Sequence, residues 1–431
     1  MTYLSEIADY LSSVKELTAW EVTQVKRRDS QLYTIFQDVE NIREVTSEEF
    51  QVKVYLTYMR DGQSFLGESS FVLTGDDIIG PKIKSAVEMA RLIANRPFSL
   101  PEPGQAYPAV KAFDAKVASD PAYYIEQIHG ELIAFSYPGI ELSSSEIFIA
   151  ESTYILLNST GLRARREETE IMLDFVLLAG NKDKEGEIDG LKRCRLYDDL
   201  NLAPTLNKYA AYARDLLTAE SPPTGLYDVI FAEEALDTFF NYFVAQAGGQ
   251  AAYQGWSQFK ENEPIVSGPR GEKLTLVSDP FLPGGIKSRP FDENGLAISK
   301  VTVIEQNVFR NRTANKRYAD YLGIAPTGDF ANVVVSPGNY LLKELMSPSP
   351  VLCLLKFSTF EPNPVTGAFS GEIRVGYLVD GDKRLPVKGG SVSGTMSKAL
   401  QEIYFSRETT RRESYSGPLA IKVCNVNIAG Q

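Results

Sequence analysis

The chain holds one histidine, His129, and three cysteines, Cys194, Cys353 and Cys424, among 431 residues. A lone histidine excludes any metal site built on two imidazoles and leaves a single candidate imidazole base. The cysteines are odd in number, far apart and form no CxxC pair, which argues against a disulfide framework and against a thiolate metal cluster. Cys353 and Cys424 lie in the apolar runs VLCLL and IKVCNVNI and are expected to be buried as small hydrophobes. Cys194 is expected to be more exposed. His129 precedes Gly130 and is expected to close a helix, where the macrodipole favours a cation. No Gly-x-Ser-x-Gly elbow occurs, so a serine hydrolase lacks its signature. No uncharged apolar run reaches the ~18 residues that suggest a membrane span. The N-terminal stretch contains Glu6, Asp9, Lys15 and Glu16, which break up any signal-peptide core, and a cytoplasmic location is expected. No long basic run occurs either. The formal net charge is −12 and the pI about 4.9. Affinity for nucleic acid and for anionic membranes rests on Lys and Arg, so neither is an expected partner. The short cluster RARREE, Arg163 to Glu168, is diluted by acids and reads as a solvated strand or loop face.

What remains is an ordinary globular composition, 43% hydrophobic and 23% charged. The expected class is α+β in three parts. Residues 1–100 read as helix, sheet, helix. Leu4, Ile7, Leu11 and Val14 recur at helical spacing. EFQVKVYLTYMRDGQSFLGESSFVL alternates as a hairpin turning at Asp61-Gly62. Asp76 is placed to cap the helix through IKSAVEMARLIA, and RPFSLPEPGQAYP reads as a linker. Residues 101–222 read as a central α+β segment: a helix at PAYYIEQI, long strands interrupted by the turn NSTG, a polar loop AGNKDKEGEIDG, and a helix at LNKYAAYARDLL. Residues 223–431 read as a mainly antiparallel, barrel- or sandwich-like β domain rich in Gly, Pro and short apolar strands.

The exception in that last part is AEEALDTFFNYFVAQAGG. Ala235, Leu236, Phe239, Phe240, Phe243, Val244 and Ala247 form one apolar stripe at helical spacing. Glu233 and Glu234 fall in the first turn, where the dipole favours acids. Gly248 and Gly249 suit a left-handed C-terminal cap. Glu233, Glu234 and Asp237 lie on the polar face and are expected to be solvated. Asn241 lies nearly opposite the stripe and Gln246 at its margin. They do not converge, and neither amide is a good zinc ligand.

Short motifs along the chain resemble those of the TldD/TldE family, also called PmbA or modulator of DNA gyrase. NSTGL at Asn158 to Leu162 is similar to the family's Asn-Ser-x-Gly turn. DPFLPGGIKSRPFDENGL, with Asp279, Pro280, Phe291, Asp292 and Gly295, resembles its Asp-Pro…Phe-Asp-x-x-Gly segment. NPVTGAFSGEIRVGYLVDG, with Asn363, Pro364, Thr366, Gly367, Phe369 and Ser370, resembles its Asn-Pro-x-Thr-Gly-x-Phe-Ser strand. GPLAIKVCNVNIAG resembles its closing strand. Gly and Pro in these motifs also have a plain reading as turn formers.

The resemblance carries implications of its own. TldD-like chains place HExxxH on the helix discussed above, where two His and a later Cys hold zinc. Here those positions fall on Asn241, Tyr242 and Gln246, and SRETTRRESY holds no cysteine. The resemblance therefore implies a TldE-like chain with no catalytic residues and no metal of its own. Its expected partner is a TldD-like metalloprotease subunit that carries zinc, in a cytoplasmic heterodimer cleaving unfolded or leader peptides. Asn363, Thr366, Gly367, Phe369 and Ser370 are candidates for the peptide path, with the strands from Asn363 to Gly376 as an edge for an extended peptide. Two other readings compete: a stand-alone homodimeric peptide- or ligand-binding protein, and a metal-free hydrolase, which the lone His129 does not favour.

Overall fold

The computed structural model describes residues 2–181 and 184–431. Helix α1 (Tyr3–Ser13) starts at Thr2, whose side chain accepts from the Ser5 N–H, and buries Leu4, Ile7 and Leu11. Strands β1 (Ala19–Ile35), β2 (Asp38–Arg60) and β3 (Gln63–Leu73) follow, then α2 (Ile79–Ala90). Asp61 and Gly62 both have positive φ, as the tight β2–β3 turn requires. Asp76 does not cap α2. That helix starts at Ile78 without a side-chain cap, and Asp77 instead accepts from Thr74 and pairs with Lys82 at 2.8 Å.

The central segment contributes α3 (Ala115–Ser119), α4 (Pro121–Ala134), β4 (Ile140–Asn158), β5 (Arg163–Asn181), β6 (Lys184–Cys194) and α5 (Leu202–Leu216). Its strands join those of the first segment in one six-stranded sheet, ordered β3-β2-β1-β4-β5-β6. β1 pairs with β4 from Glu21 to Ile35, so the two segments share a sheet across the linker. The stretch expected as a polar loop is mostly strand. β6 alternates exposed Glu185, Glu187 and Asp189 with buried Gly186, Ile188 and Gly190. Its polar composition hid that pattern because two of the inward positions are glycines. A Cβ on Gly186 would lie 2.4 Å from the Ala213 carbonyl oxygen of α5, and one on Gly190 would lie 2.3 Å from the Phe175 ring. Residues 182 and 183 of that stretch lie outside the described residues. α4 runs through Gly130, so His129 sits inside the helix rather than at its end. Burial lowers its pKa.

The remaining chain forms β7 (Gly225–Ala232), α6 (Glu234–Ala247), α7 (Gly249–Tyr253), β8 (Leu276–Asp279), β9 (Val301–Glu305), β10 (Val308–Phe309), α8 (Lys316–Leu322), β11 (Asn332–Val335), α9 (Leu342–Leu345), β12 (Val351–Phe360), β13 (Ala368–Asp380), β14 (Lys383–Val387), β15 (Ser391–Thr395), α10 (Met396–Ala399), β16 (Ile403–Phe405), β17 (Thr409–Arg412), β18 (Tyr415–Pro418) and β19 (Ala420–Ala429). The order β12-β7-β19-β15-β13 closes on itself because β13 also pairs with β12, giving a five-stranded barrel. A second sheet, β10-β9-β8-β11-β18-β17, lies beside it. The fold is α+β and mostly sheet.

Barrel strands buried on both faces set the layering. Val229 and Phe231 of β7, with Leu352 and Leu354 of β12, join a core shared with α6 and the second sheet. The alternate residues Ile230, Val351 and Cys353 join the core under α4 and α5. That is why VLCLL reads as an uninterrupted apolar run. Cys194 is buried in the same core as Cys353, whereas Cys424 is only half-buried, the reverse of the sequence expectation for these two. Burial pushes the thiols up to about 12, 11 and 12 for Cys194, Cys353 and Cys424, so none is a ready nucleophile. Among the described residues no helix is long and apolar enough to cross a membrane.

Candidate functional site

The barrel strand β7 turns into α6 at Glu233, whose backbone lies at φ 58°, ψ −129°. Side-chain-bearing residues hold such a conformation only where their surroundings enforce it. Here the enforcement is ionic. The Glu233 carboxylate pairs with Lys208, accepts from Tyr212 Oη at 3.2 Å and from Arg412 Nη1 at 3.4 Å. Glu234 accepts from Tyr209 Oη at 2.7 Å and from Lys356 Nζ at 3.1 Å. Asp237 meets Arg412 Nε at 3.4 Å. These three acids were expected in solvent. They are instead half-buried where α5, β12 and β17 converge on the first turn of α6. Burial pushes Asp237 up to about 6, against the pull of Arg412. Lys356 also pairs with Asp189 of β6 at 2.9 Å. Each acid is held by a cation, two of them also by a tyrosine hydroxyl, so the cluster is a strut between layers. Sequence reasoning missed Lys208, Tyr209, Tyr212, Lys356 and Arg412. The first three share a face of LNKYAAYARDLL at helical spacing, but nothing local names their partners.

The apolar stripe of α6 is buried except at Val244, which is half-buried. Phe239 meets Phe231 of β7 at 5.7 Å between ring centroids, and Phe240 stacks on Tyr415 of β18 at 5.5 Å. The helix does not end in a left-handed glycine. Gly248 is extended at φ −66°, and Gly249 starts α7 tightly against Ala314, where a Cβ would come within 2.9 Å.

The three positions aligned with the family's zinc motif have separate fates. Asn241 is exposed and lines a cleft of about 570 Å³ with Glu234, Thr238, Ser358, Glu361 and Ser370. Tyr242 is buried edge-on against Phe259, and burial raises its phenol pKa. Gln246, expected at the margin of the stripe, is completely buried. Its Nε2 donates to the carbonyls of Pro364 at 2.6 Å and Trp256 at 3.3 Å, and its Oε1 accepts from the Gln258 N–H at 2.5 Å. Zinc takes imidazole, thiolate or carboxylate donors converging on one point. An exposed amide, a buried phenol and a saturated amide do not fit it. Among the described residues no group of three or more His, Cys, Asp and Glu is arranged to hold a metal.

The residues considered for a peptide path are mostly engaged in structure. Asn363 Oδ1 accepts from the N–H groups of Val365 and Thr366, and Thr366 Oγ1 from that of Ala368. Gly367 takes φ +70°, and a Cβ there would come within 3.3 Å of the Tyr242 ring. Phe369 is buried against Phe231 and Phe360. Ser370 is exposed and lines the cleft beside Asn241. The expected strand edge is not there. β13 pairs with β12 on one side and with β15 and β14 on the other, so among the described residues it offers no continuous free edge. A second, more apolar cleft of about 340 Å³ lies further along α6, lined by Val244, Ala245, Gly248, Trp256, Pro364 and Val365. The exposed ridge of α6 thus borders two clefts, and the bond from Gln246 to Pro364 fixes the wall of the second.

The other motifs meet one another. The Asn158 side chain orders its own turn, accepting from Thr160 and Leu162 N–H groups, and donates to the Pro101 carbonyl of the linker. Leu162 packs with Leu156 and Phe291. Gly295, at φ +85°, faces Leu162, where a Cβ would come within 2.8 Å. Tyr107 Oη donates to the Gly295 carbonyl at 2.6 Å. Arg166, expected in solvent, lies over Tyr154 and Phe291 and donates to the Phe291 carbonyl at 3.0 Å. Asp279 pairs with Lys300 at 2.7 Å. NSTG and FDENG are therefore the two halves of a seam between the central segment and the C-terminal domain.

Residues 224–430 match the family model described as the PmbA/TldA metallopeptidase C-terminal domain. A protein of Methanothermobacter thermautotrophicus named a metalloprotease is 24% identical over 295 residues, 63% of this chain and 63% of the relative. The matches span less than two thirds of the length of the curated archaeal relatives. A candidate modulator of DNA gyrase from Bacteroides thetaiotaomicron shares the fold with a TM-score of 0.84 over 100% of both chains at 18% identity. TldE from Thermococcus kodakarensis does so with a TM-score of 0.77, over 100% of both chains, at 17% identity. Residues 224–430 thus form a C-terminal domain of the PmbA/TldD metallopeptidase family, and the whole chain shares the fold of the solved modulator-of-DNA-gyrase and TldE structures.

Proposed function

We propose that this chain is the non-catalytic, TldE-like subunit of a two-chain zinc metallopeptidase of the cytoplasm. The partner is a TldD-like chain that holds the zinc and performs the cleavage of unfolded or leader peptides. One observation carries this reading: the helix that bears HExxxH in TldD-like chains here bears Asn241 in solvent, Tyr242 in the core and Gln246 locked in three hydrogen bonds. That helix has become a packing element. The chain's contribution is wall and path. The two clefts along the exposed ridge of α6 offer a polar and an apolar recess for an extended peptide, and Ser370, Pro364 and Val365 line them.

The test mixes the purified chain with an HExxxH-bearing relative from the same genome and an unfolded casein substrate. Cleavage is expected only from the mixture, and elemental analysis is expected to find zinc with the partner and none with this chain purified untagged. A partner fully active alone removes the need for this subunit. Stoichiometric zinc on this chain, or activity from it alone in strong chelator, overturns the reading. A peptide-binding homodimer that ignores the partner favours a stand-alone binding protein.

A further inference from the structure

β2 runs from Asp38 to Arg60, but β3 covers only Phe50 to Arg60 of it. From Asp38 to Glu49 one side of β2 pairs with β1, and the other has no strand beside it among the described residues. At ~3.3 Å per residue this open edge is about 40 Å long. Every residue from Asp38 to Glu48 is exposed. Val39, Ile42 and Val45 are 45%, 71% and 44% exposed. A row of unpaired N–H and C=O groups on so long an edge is a template for another strand. Proteins commonly blunt such edges by shortness, proline, lysine or a covering helix. This one is long, has no proline and no lysine, and carries one irregularity, opposite Tyr33 and Thr34 near its start.

Its charge is one-sided. Asp38, Glu40, Glu44, Glu48 and Glu49 face the single cation Arg43. Glu48 is paired, with Lys26 at 3.3 Å. Asp38, Glu40 and Glu44 make no ion pair among the described residues. A second copy of this chain would bring the same carboxylates to the same edge, and like charges directly opposite destabilise a strand pair. A basic strand would be matched along its length, with Ile42 and Val45, three residues apart and so on opposite faces of the strand, each left to meet an apolar residue on its own face.

We propose that the Asp38–Glu49 edge is where a basic strand of the metal-bearing partner adds to the six-stranded sheet, and that its acidity disfavours self-pairing. This rests on the two-subunit reading above. It gives that reading a surface, a chemistry for the partner's side and a reason for unlike chains to pair.

The experiment follows amide hydrogen exchange of the full chain, alone and mixed with the HExxxH-bearing relative from the same genome. It also measures affinity for that relative with Glu40→Lys/Glu44→Lys. Expected are fast exchange in the isolated chain of the alternate amides of residues 38–49 that point away from β1, protection of those same amides in the mixture, and a loss of affinity of about tenfold or more in the double variant, since like charges across an interface are costly. Both substituted side chains are exposed and unpaired, so the melting temperature of the variant is expected to stay put and to separate lost binding from lost folding. If the chains associate but residues 38–49 stay unprotected and the variant binds as well, the edge is not the interface while the two-subunit reading stands. If they do not associate at all, that reading fails and takes this one with it. Protection that grows with the concentration of this chain alone assigns the edge to a second copy and overturns the proposal.

Discussion

Asp292 has no exposed surface, and only Oδ1 of its carboxylate is hydrogen-bonded, accepting from the N–H groups of Asn294 and Leu296. Oδ2 has no partner. Burial, with Asp329 nearby, pushes this acid up to about 7. In the unfolded chain it titrates near 4. Between those values the folded state binds the extra proton, so this residue's contribution to stability is present at low pH and is lost as pH rises towards 7. Asp292→Asn keeps the accepting oxygen and removes the charge. At pH 8 the variant is expected to be more stable than the wild type by on the order of 1–3 kcal/mol, and near pH 4 the advantage should vanish. Thermal melts across that range are the check, and parallel pH profiles for the two proteins would show that Asp292 ionises normally. The sequence marked Asp292 as a motif residue. It could not show the burial, because the groups that close over its neighbours Phe291 and Gly295 are Tyr107, Leu156 and Leu162, all more than a hundred positions away. Gln246 shows the same limit. Helical spacing put it at the margin of the stripe, and the loop carrying Trp256 to Gln258 then closed over it.

Helix α6 is where local pattern and tertiary demand part company. Its apolar stripe was legible because 3.6-residue periodicity belongs to the element itself, and Phe239, Phe240 and Phe243 are all fully buried. Phe243→Ala is expected to cost about 3–5 kcal/mol, the range for a buried aromatic truncation, read in a denaturant melt. The polar face was misjudged because its partners lie on α5, β12 and β17. At the elbow two contributions can be separated. Glu233→Ala loses the contacts to Lys208, Tyr212 and Arg412 and keeps a side chain at φ 58°. Glu233→Gly loses the same contacts and relaxes the backbone. Both variants are expected to destabilise, the alanine by more, with a gap of about 1–3 kcal/mol. Equal losses would mean that the elbow stores no strain. The peptide edge expected from the stretch Asn363 to Gly376 failed for a related reason: Gly371 and Gly376 admit close neighbours inside a closed barrel, and composition alone does not distinguish a crowded strand from an open one.

The three segments visible in composition do not correspond to three independent cores. β1 of the first segment is sandwiched between β2 and β4. The core under α4 and α5 is completed by Ile230, Val351, Cys353, Tyr377 and Ala420 of the barrel. The Pro-rich stretch after residue 100 looked like a linker, yet Pro101 accepts from Asn158 and Thr160, and Tyr107 is tied to Gly295. Of this stretch, Glu102 to Gly104 is exposed. Limited proteolysis is therefore expected to be slow there, since a protease must first pull an extended segment away from both anchors. Once cut, the halves should stay together in gel filtration and separate only in denaturant, because the β1–β4 ladder and the seam of NSTG against FDENG remain. Tyr107→Phe with Asn158→Ala removes anchors on both sides of the cut and is expected to speed cleavage several-fold. Tyr107→Phe deletes one side-chain hydrogen bond, worth roughly 1 kcal/mol net, and Asn158→Ala deletes the bond to Pro101 together with those that order its own turn. Rapid release of a folded first segment from the wild type would show that the shared sheet does not bind the molecule together, and that the composition boundary near residue 100 is also an energetic one.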